Sequence, residues 1–375
     1  MKTHYLDYSA STPVDPKVLE SMIPFLSDAY GNPSSIHTLG IQNRKAINTA
    51  RKTMSELLKC QHDELIFTSG GTEAINLAIV GLAKANPSKK RILTTKIEHK
   101  ATLNSCKHLE HEGYEVIYMD VDDQGFLTLD ELKKHVNSNT LLLSLIYGHN
   151  EIGTLQRVNE LIDYCHAHDV YVHLDAIQVF GKMPITIEDI PCDLMSISAH
   201  KIYGPKGVGC LYKKKELDLC PIICGGGHEQ SLRAGTENLS GIIGFSKAFE
   251  LAYQNISERN DHLNQLATYL YVHLKDIFDI KLNGPDIGND RLPGHLSLSF
   301  KDIDAYQLAF SLDHQGIYVS TGSACNSNVI EPSHVIACIQ KDPSYAKGTL
   351  RITLGYQQTL KDMDEVIEVF KDLLT

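Results

Sequence analysis

The chain has 375 residues and a formal net charge of −11 at pH 7, and 42% of its residues are hydrophobic. The excess of negative charge argues against nucleic-acid binding through bulk electrostatics, and no apolar run approaches the roughly 20 residues of a membrane span. Nine cysteines without a CxxC pair, and an N-terminus without a signal-like apolar segment, predict a reduced, cytoplasmic globular protein without a metal site.

Helix and strand patterns alternate along the first two thirds of the chain. In chain order, we predict an extended start at 5–8, helices at 17–26 and 42–58, a strand at 64–68, a helix at 74–85, a strand at 91–95, a helix at 99–112, a strand at 115–119, a helix at 129–136, a strand at 141–146, a helix at 158–168, and strands at 170–174 and 194–197. This βαβα order predicts a mostly parallel sheet covered by helices on both faces.

The pattern changes near residue 250. The elements predicted beyond it are a long helix at 249–278, an antiparallel strand with one face in water at 296–300, strands at 316–320 and 350–354, and a helix that begins at Leu360. We therefore predict an α/β protein with a large domain over 16–250 and a smaller α+β domain over 251–375. Residues 1–15 are expected to join the smaller domain.

Lys201 follows the apolar strand predicted at 194–197 and precedes a turn that Pro205 and two glycines impose. A lysine at the end of a buried strand is costly unless it is paired, neutralised or used chemically. It is either a surface lysine beside a turn or a Schiff-base lysine that holds an aldehyde cofactor. Lys206 is the weaker candidate, because it lies within the turn itself.

Polar groups follow other predicted strands, and the carboxyl ends of parallel strands open on one crevice. In the small-residue segment that contains Gly71 and Thr72, backbone N–H groups could receive an anion, although Thr72 could also be a plain helix cap. Asp175 could pair with a pyridinium nitrogen or cap a helix. Gln178 could hydrogen-bond the oxygen of the same ring.

Two further strand ends point to the same crevice. His99 follows the strand at 91–95 and is either an ordinary hydrogen-bonded histidine or a group that faces the ligand. Asn150 follows the strand at 141–146 and could donate to a ligand oxygen or brace a turn. An anion nest, a carboxylate, a histidine and a lysine together fit pyridoxal 5′-phosphate, which favours the Schiff-base interpretation of Lys201.

The chain closely resembles the cysteine desulfurases of the NifS/IscS kind, within the class V aminotransferase group of fold-type I pyridoxal-phosphate enzymes. The segments that carry the resemblance are 5–10, 31–37, the strand ends described above, 198–201, 225–229, 233–238, 321–325 and 350–351. They extend over nearly the whole chain. The resemblance implies a large domain that binds the cofactor, a small domain with a catalytic cysteine loop, and an obligate homodimer.

The resemblance also implies a role for each matching residue. The residues implied to act on the cofactor ring are Lys201 as the Schiff-base lysine, Asp175 at the ring nitrogen, Gln178 at the ring oxygen, and His99, which stacks on the ring and assists proton transfer. The residues implied to hold the phosphate are Gly71, Thr72, Ser198 and His200, with Thr236 of the partner subunit. Asn150, which would also touch the cofactor, and the fork-shaped guanidinium of Arg351 are implied to bind the substrate carboxylate.

Cys325 separates the implied desulfurase from a transaminase. Its neighbours are small and polar, which is typical of a mobile, exposed loop and suits a nucleophile that takes sulfur from L-cysteine and delivers it elsewhere. An incidental loop thiol is the alternative. The implied reaction converts L-cysteine to L-alanine and leaves a persulfide on Cys325.

The sulfur acceptor is expected to be a tRNA-thiolating enzyme or an iron–sulfur scaffold. The sequence ends at Thr375 without the C-terminal tail of the IscS type, and the segment 233–238 is more similar to the NifS branch, which favours the first of these. Two rival interpretations remain: a selenocysteine lyase or other aminotransferase-like enzyme, and a non-catalytic scaffold that binds the cofactor. Direct contact with nucleic acid or with a membrane is not expected.

Overall fold

The computed structural model describes residues 2–321 and 333–374. The α-helices of these residues are α1 (Pro16–Met22), α2 (Pro24–Ser27), α3 (Thr38–Leu58), α4 (Gly71–Asn76), α5 (Leu82–Ala85), α6 (Lys100–His111), α7 (Leu129–Lys133), α8 (Val158–His166), α9 (Leu239–Tyr253), α10 (Ile256–Ile277), α11 (Ala305–His314), α12 (His334–Ile339), α13 (Pro343–Ala346) and α14 (Leu360–Leu374). The strands are β1 (His4–Tyr5), β2 (Leu65–Thr68), β3 (Arg91–Thr95), β4 (Glu115–Met119), β5 (Thr140–Ile146), β6 (Tyr171–Asp175), β7 (Leu194–Ser198), β8 (Gly209–Lys213), β9 (Ile280–Leu282), β10 (His295–Phe300), β11 (Ile317–Tyr318) and β12 (Thr349–Thr353).

Seven strands of the described chain form one large sheet, in the spatial order β2-β8-β7-β6-β5-β3-β4. Strands β7, β6, β5, β3 and β4 run in the same direction, whereas β8 is antiparallel to both of its neighbours. Every residue of β5 and β7 is buried, as is typical of strands covered on both faces. The predicted mostly parallel sheet is confirmed. Strand β8 was not predicted, because a glycine and a lysine leave it only a short apolar stretch.

Helices cover both faces of this sheet and enclose two apolar clusters. On one face, α3 and α9 contribute Met54, Phe245 and Phe249, all fully buried. On the other face, α4 and α6 contribute Ile75 and Leu109. Burial of each such side chain stabilises the fold by about 1.5–3 kcal/mol, so the two clusters hold the sheet rigid and fix where its strands end.

A second, three-stranded sheet has the order β12-β10-β9 and is antiparallel throughout. The prediction that β10 is antiparallel is confirmed, but the prediction that one of its faces lies in water is wrong, because all six of its residues are buried. Its polar face is satisfied inside the protein. Asn283 donates through Nδ2 to the Oγ atoms of Ser297 and Ser299, at 3.3 and 2.8 Å.

The single long helix predicted over 249–278 is also wrong, because the chain breaks between α9 and α10. Asn255 has a φ of 54°, in the left-handed region that asparagine tolerates better than most residues. Arg259 compensates for the break by donating through Nη2 to the carbonyls of Leu251, Ala252 and Gln254. The side chains of α9 pack on the large sheet, whereas those of α10 pack on the small one.

The two ends of the described chain lie beside the small sheet. Strand β1 is parallel to β11, with His4 opposite Ile317, and Leu6 belongs to the same apolar cluster as Phe370 of α14. Residues 7–12 then cross to the large sheet, where they reach the loop that follows β7. Within residues 2–321 and 333–374, no helix is both long enough and apolar enough to cross a bilayer.

Candidate active site

The carboxyl ends of four neighbouring parallel strands open on one crevice. His99 follows β3, Asn150 follows β5, Asp175 ends β6 and Ser198 ends β7. Because these strands are adjacent in the sheet, their last residues and the following loops lie side by side. The predicted site residues of the large domain that follow these strands are therefore brought together by the strand order.

Lys201 lies in a short 3₁₀ turn, Ala199–Lys201, that directly follows β7. Its Nζ donates to the carbonyl oxygens of Ser9 and Ala10, at 2.6 and 2.7 Å. Burial and the nearby positive charge of Arg351 lower the pKa of Lys201 to about 8. An amine with a lowered pKa is more readily available as a nucleophile or a base near neutral pH.

Asp175 is only 4% exposed at the end of β6. Its Oδ1 accepts the backbone N–H of Ile177 at 3.1 Å, which is the local capping contact that the alternative interpretation expected. Burial raises the pKa of Asp175 to about 6, although the positive charge of Lys201 acts in the opposite direction. A buried carboxylate of this kind requires a further cation to remain ionised, and a pyridinium nitrogen is such a cation.

Gln178 lies between Asp175 and the N-terminal segment of the chain. Its Nε2 donates to the carbonyl oxygen of Ser9 at 2.8 Å, and its Oε1 accepts from Nζ of Lys182 at 2.8 Å. The same carbonyl of Ser9 accepts from Lys201. The amide of Gln178 is therefore held beside the Lys201 amine by a shared acceptor.

A cradle for an anion lies where α4 begins, beside Ser198. It is lined by Ser69, Gly70, Gly71, Thr72, Ser198 and His200, with Lys206 at its rim. A Cβ on Gly71 would lie closer to Cδ1 of Ile177 than two carbons can approach, so a larger residue fits there only if the side chain of Ile177 moves. The N-cap of α4 is Gly70, and Thr72 accepts no capping bond, so the interpretation of Thr72 as a plain cap is wrong.

Two histidines of the crevice are held in the neutral form. Burial and the charges of Lys201 and Lys206 lower the pKa of His200 to about 4. Burial and the charges of Lys201 and Lys100 also lower the pKa of His99. Nδ1 of His99 accepts the N–H of Ala101 at 3.1 Å as the cap of α6, so the proton of this neutral ring lies on Nε2.

Arg351 of β12 reaches the crevice from the small sheet. Its Nη2 lies 2.7 Å from Oδ1 of Asp7, and its Nη1 donates to the backbone carbonyl of Asn150 at 3.2 Å. Its Nε is buried without a hydrogen-bond partner among the described residues. A guanidinium with an unused buried donor fits a bound carboxylate. Asn150 contributes its backbone oxygen to this arrangement, and the ligand contact of its side-chain amide stays a prediction.

One predicted residue, Thr236, stands apart from this crevice, and another is not described. Thr236 is exposed, in a segment that Arg233 ties to Glu73 of α4 through an Nε–Oε1 contact of 3.0 Å. It does not belong to the described residues that line the anion cradle of its own subunit. Cys325 lies in 322–332, outside the residues that the structure describes.

The sequence profile of the family described as Aminotransferase class-V matches residues 4–366. The chain belongs to the class V aminotransferase family. The chain is 44% identical, over 99% of its own length and 94% of the relative's, to a protein of Dictyoglomus turgidum named "Cysteine desulfurase IscS". The resemblance inferred from the sequence is thereby confirmed.

Solved structures share the fold of this chain. A structure titled "NIFS-LIKE PROTEIN" has a TM-score of 0.94 and 36% identity, and the match covers 100% of this chain and 99% of that one. A second, titled "SspA in complex with cysteine", has a TM-score of 0.82 and 33% identity, covering 94% of this chain and 99% of that one. The predicted fold class, that of fold-type I pyridoxal-phosphate enzymes, is confirmed.

Several residues that shape the site were not predicted from the sequence. Asp7 pairs with Arg351, the Ser9 carbonyl accepts from Lys201, and Lys182 donates to Gln178. Asp7 and Ser9 lie in an extended segment without periodicity, and a backbone acceptor leaves no trace in side-chain identity. The spacing of Lys182, four residues after Gln178, was the one available signal.

Proposed function

We propose that this protein is a pyridoxal 5′-phosphate-dependent cysteine desulfurase, which converts L-cysteine to L-alanine and passes the sulfur to an acceptor. The observation that carries the proposal is the presence of Lys201 and Asp175 at the ends of neighbouring strands, both with displaced pKa values, beside an anion cradle at the start of α4. Full-length relatives named cysteine desulfurase support the reaction.

The residues of the crevice fit the cofactor group by group. Gly71, Thr72, Ser198 and His200 would hold its phosphate, because they line the cradle together at the start of α4, where backbone N–H groups and the hydroxyls of Thr72 and Ser198 can donate. Asp175 would hold the ring nitrogen in its protonated form. When bound, the cofactor withdraws electrons from the substrate α-carbon, which weakens the bonds to that carbon and, through it, the carbon–sulfur bond.

Lys201 and His99 would move protons beside the substrate. The amine of Lys201 would hold the cofactor and then, once freed, take the proton from the α-carbon, since its pKa of about 8 leaves part of it neutral at physiological pH. His99 would present its Nε2–H to the crevice, because its Nδ1 is occupied by the cap of α6. Both groups act from rigid positions at the ends of buried strands.

Arg351 would bind the carboxylate of L-cysteine. Asp7 holds one end of the guanidinium through Nη2, and the backbone oxygen of Asn150 contacts Nη1, so that the unpaired Nε faces a site where a carboxylate oxygen can bind. Binding at this position orients the amino group of the substrate toward Lys201.

Cys325 would take the sulfur. Its thiolate attacks the sulfur of the substrate, a sulfur–sulfur bond forms, and the carbon–sulfur bond breaks with its electron pair left on carbon. Protonation of that carbon gives L-alanine, so that one L-cysteine and one enzyme thiol become one L-alanine and one enzyme persulfide. We assign the cofactor site to a large domain over 16–250 and the cysteine loop to a smaller domain over 251–375.

A homodimer would complete the site. Three large apolar side chains within residues 26–36 are exposed: Ile36 is 91% exposed, Tyr30 74% and Leu26 63%. Large apolar side chains exposed in one segment are typical of an interaction surface, and these three define the apolar surface near the N-terminus. A second copy of the chain on this surface would bury them, and the exposed Thr236 of the partner subunit would then reach the phosphate of the cofactor.

The sulfur acceptor would be an iron–sulfur scaffold or a tRNA-thiolating enzyme in the cytoplasm. Persulfide transfer to each candidate acceptor, followed with labelled L-cysteine, distinguishes the two. The name of the Dictyoglomus turgidum relative supports the first. Transfer confined to a scaffold would count against the tRNA branch of the proposal.

The reaction is tested by incubating the enzyme with L-cysteine and a reductant, and by measuring alanine and sulfide in parallel. We expect the two products in equal amounts, without any added keto acid. Amino-group transfer from L-cysteine to a keto acid, without release of sulfide, would instead identify an aminotransferase. Sulfide release accompanied by pyruvate rather than alanine would also contradict the proposal.

A further inference from the structure

Lys182 is a lysine that neither the fold nor the proposed reaction accounts for. It lies at the inner wall of a cavity behind Lys201, which Tyr8, Tyr203 and His295 also line. Within the described residues, its ammonium group forms no ion pair, and the charges that act on it most are those of Lys201 and Arg351, both positive. Lys182 is partly buried, and burial together with these two charges lowers its pKa to about 7, so the position is unfavourable for a cation and calls for a function.

The one side-chain acceptor of Lys182 is Gln178. Its Nζ donates to Oε1 of Gln178 at 2.8 Å, while Nε2 of Gln178 donates to the carbonyl of Ser9 at 2.8 Å. An ammonium group can only donate and a carbonyl can only accept, so these two partners leave the amide a single orientation. Its oxygen faces Lys182, and its nitrogen faces the carbonyl that Lys201 also contacts.

The backbone that carries Lys182 is fixed as firmly as its side chain. Asn260 donates through Nδ2 to the carbonyl of Lys182 at 2.7 Å, and the N–H of Lys182 donates to Val179 at 3.0 Å. Gly181 before it has a φ of 70°, and a Cβ there would collide with Ile202 and Ala252. The turn from Gln178 to Lys182 is therefore rigid and keeps the two side chains within hydrogen-bond distance of each other.

We infer that Lys182 is a positioning residue that locks the Gln178 amide with its N–H side toward the cofactor. The inference rests on the proposed function, because the acceptor of the second N–H of Gln178 would be the ring oxygen of pyridoxal phosphate. Without Lys182 only the Ser9 carbonyl still favours this orientation, so the amide would rotate by half a turn more often and present its oxygen, which would repel that ring oxygen. Lys182 thus makes Gln178 a permanent donor.

This role predicts a shift in the titration of the bound cofactor. A hydrogen-bond donor at the ring oxygen stabilises negative charge on that oxygen. It therefore lowers the pKa at which the bound cofactor loses its proton. In holoenzyme that carries Lys182→Met, we expect the apparent pKa of the cofactor absorbance to rise by about one unit, a tenfold change in proton affinity. Lys182→Arg keeps a donor and should titrate close to the wild type.

Lys213→Met is the matched control. Lys213 is also a buried lysine, and its Nζ donates to the carbonyls of Lys214, Lys215 and Leu217, away from the crevice. The Lys213→Met enzyme should titrate like the wild type. Replacing the unpaired Lys182 with an apolar chain of similar length should preserve folding, and thermal unfolding of both variants checks this.

A double-variant cycle separates positioning from a direct effect of charge. If Lys182 acts through the amide, Lys182→Met produces no further shift in a Gln178→Leu enzyme. A shift of the same size in both backgrounds would overturn the inference, because the charge of Lys182 would then act on the cofactor directly. An unchanged titration in Lys182→Met alone would overturn it as well. Failure of the proposed function has a different signature, since a protein without bound cofactor shows no such absorbance.

Discussion

Lys201 and Asp175 face the same crevice, and burial displaces the pKa of each toward neutrality. The pKa of Lys201 falls to about 8 and that of Asp175 rises to about 6. Each group is therefore costly in its charged form when the crevice is empty, and each gains when the cofactor supplies a covalent partner or a cation. The two side chains proposed to bind the cofactor therefore destabilise the cofactor-free protein in their charged forms.

Asp175→Asn should therefore stabilise the cofactor-free protein above pH 6 while it impairs catalysis. The folded pKa of Asp175 is above the unfolded value of 3.8, so ionisation costs stability, and this cost is complete above about pH 6 and absent below pH 4. We expect a gain of about 1–2 kcal/mol at pH 8 in urea unfolding and no gain at pH 4.

Asp193→Asn is the control for this prediction. Asp193 is equally buried but accepts from His166 at 2.9 Å and from the N–H of Val172 at 2.8 Å. Its replacement should destabilise the protein by about 1–3 kcal/mol. A destabilised Asp175→Asn protein at pH 8 would contradict the account of Asp175 as an unpaired buried carboxylate.

Arg351→Lys should weaken the binding of L-cysteine. A single ammonium cannot replace the guanidinium that contacts Asp7, Asn150 and the substrate at once, so we expect kcat/KM to fall by about 10–100-fold, mostly through KM. Steady-state kinetics with L-cysteine measure this. Cysteamine, which lacks the carboxylate, should react equally slowly with both enzymes, and a KM unchanged by the substitution would argue against the assigned role.

At the scale of elements, the site depends on tight contact between the start of α4 and the turn after β6. A methyl group added to Gly71 would overlap Cδ1 of Ile177, so the anion cradle would keep its shape only if Ile177 moved. Gly71→Ala should lower affinity for pyridoxal phosphate by at least about tenfold. Equilibrium dialysis of the cofactor measures the effect.

The rescue variant for this contact is Ile177→Val. It removes the Cδ1 atom that the new Cβ would meet, so the double variant should recover part of the lost affinity. Ile177→Val alone should bind the cofactor almost normally. If the double variant binds no better than Gly71→Ala, the loss arises from the backbone of Gly71 rather than from its packing.

Elements with strong local patterns could be predicted from the sequence, and those that depend on distant partners could not. Strands β3 and β4 were predicted to the residue, because each is a β-rich run between clear helical patterns. The break at Asn255 was missed, since Arg259 satisfies the freed carbonyls from the next helix. The face of β10 was misassigned because Asn283, from another segment, satisfies its serines.

The same division holds for the candidate site. The strand-end residues were predictable because parallel strands place their carboxyl ends together. The partners Asp7 and Ser9 were not, since their contacts depend on how the N-terminal segment crosses from one sheet to the other. Lys182 offered only its spacing from Gln178, and the backbone contact of Asn150 with Arg351 leaves no trace in side-chain identity.

At the scale of the whole molecule, the crevice lies between two sheets with separate apolar clusters. Lys201 and Asp175 belong to the large sheet, whereas Arg351 belongs to the small one. The N-terminal segment joins them, since Asp7 contacts Arg351 while Ser9 and Ala10 contact Lys201. A substrate bound in this crevice as proposed would contact charged groups of both sheets.

The apolar surface near the N-terminus should hold a second subunit. Leu26→Asp places a charge where a partner would bury a leucine, so we expect the dimer to dissociate at least about tenfold more readily in sedimentation experiments. Phe310→Asp is the control. Phe310 is exposed to a similar degree, 66%, and it belongs to α11, which is far along the sequence from Leu26. Equal effects of both substitutions would argue against a dimer through this surface.

The most direct test of cysteine desulfurase activity is a single turnover with L-cysteine and no reductant, followed by peptide mass analysis. The account predicts one L-alanine per subunit and the mass of one added sulfur atom on the peptide that contains Cys325. Cys338→Ala, which removes an exposed cysteine of α12, should behave like the wild type, whereas Cys325→Ala should bind the cofactor but form neither product. Alanine formation by Cys325→Ala, or sulfur carried by another cysteine, would contradict the account.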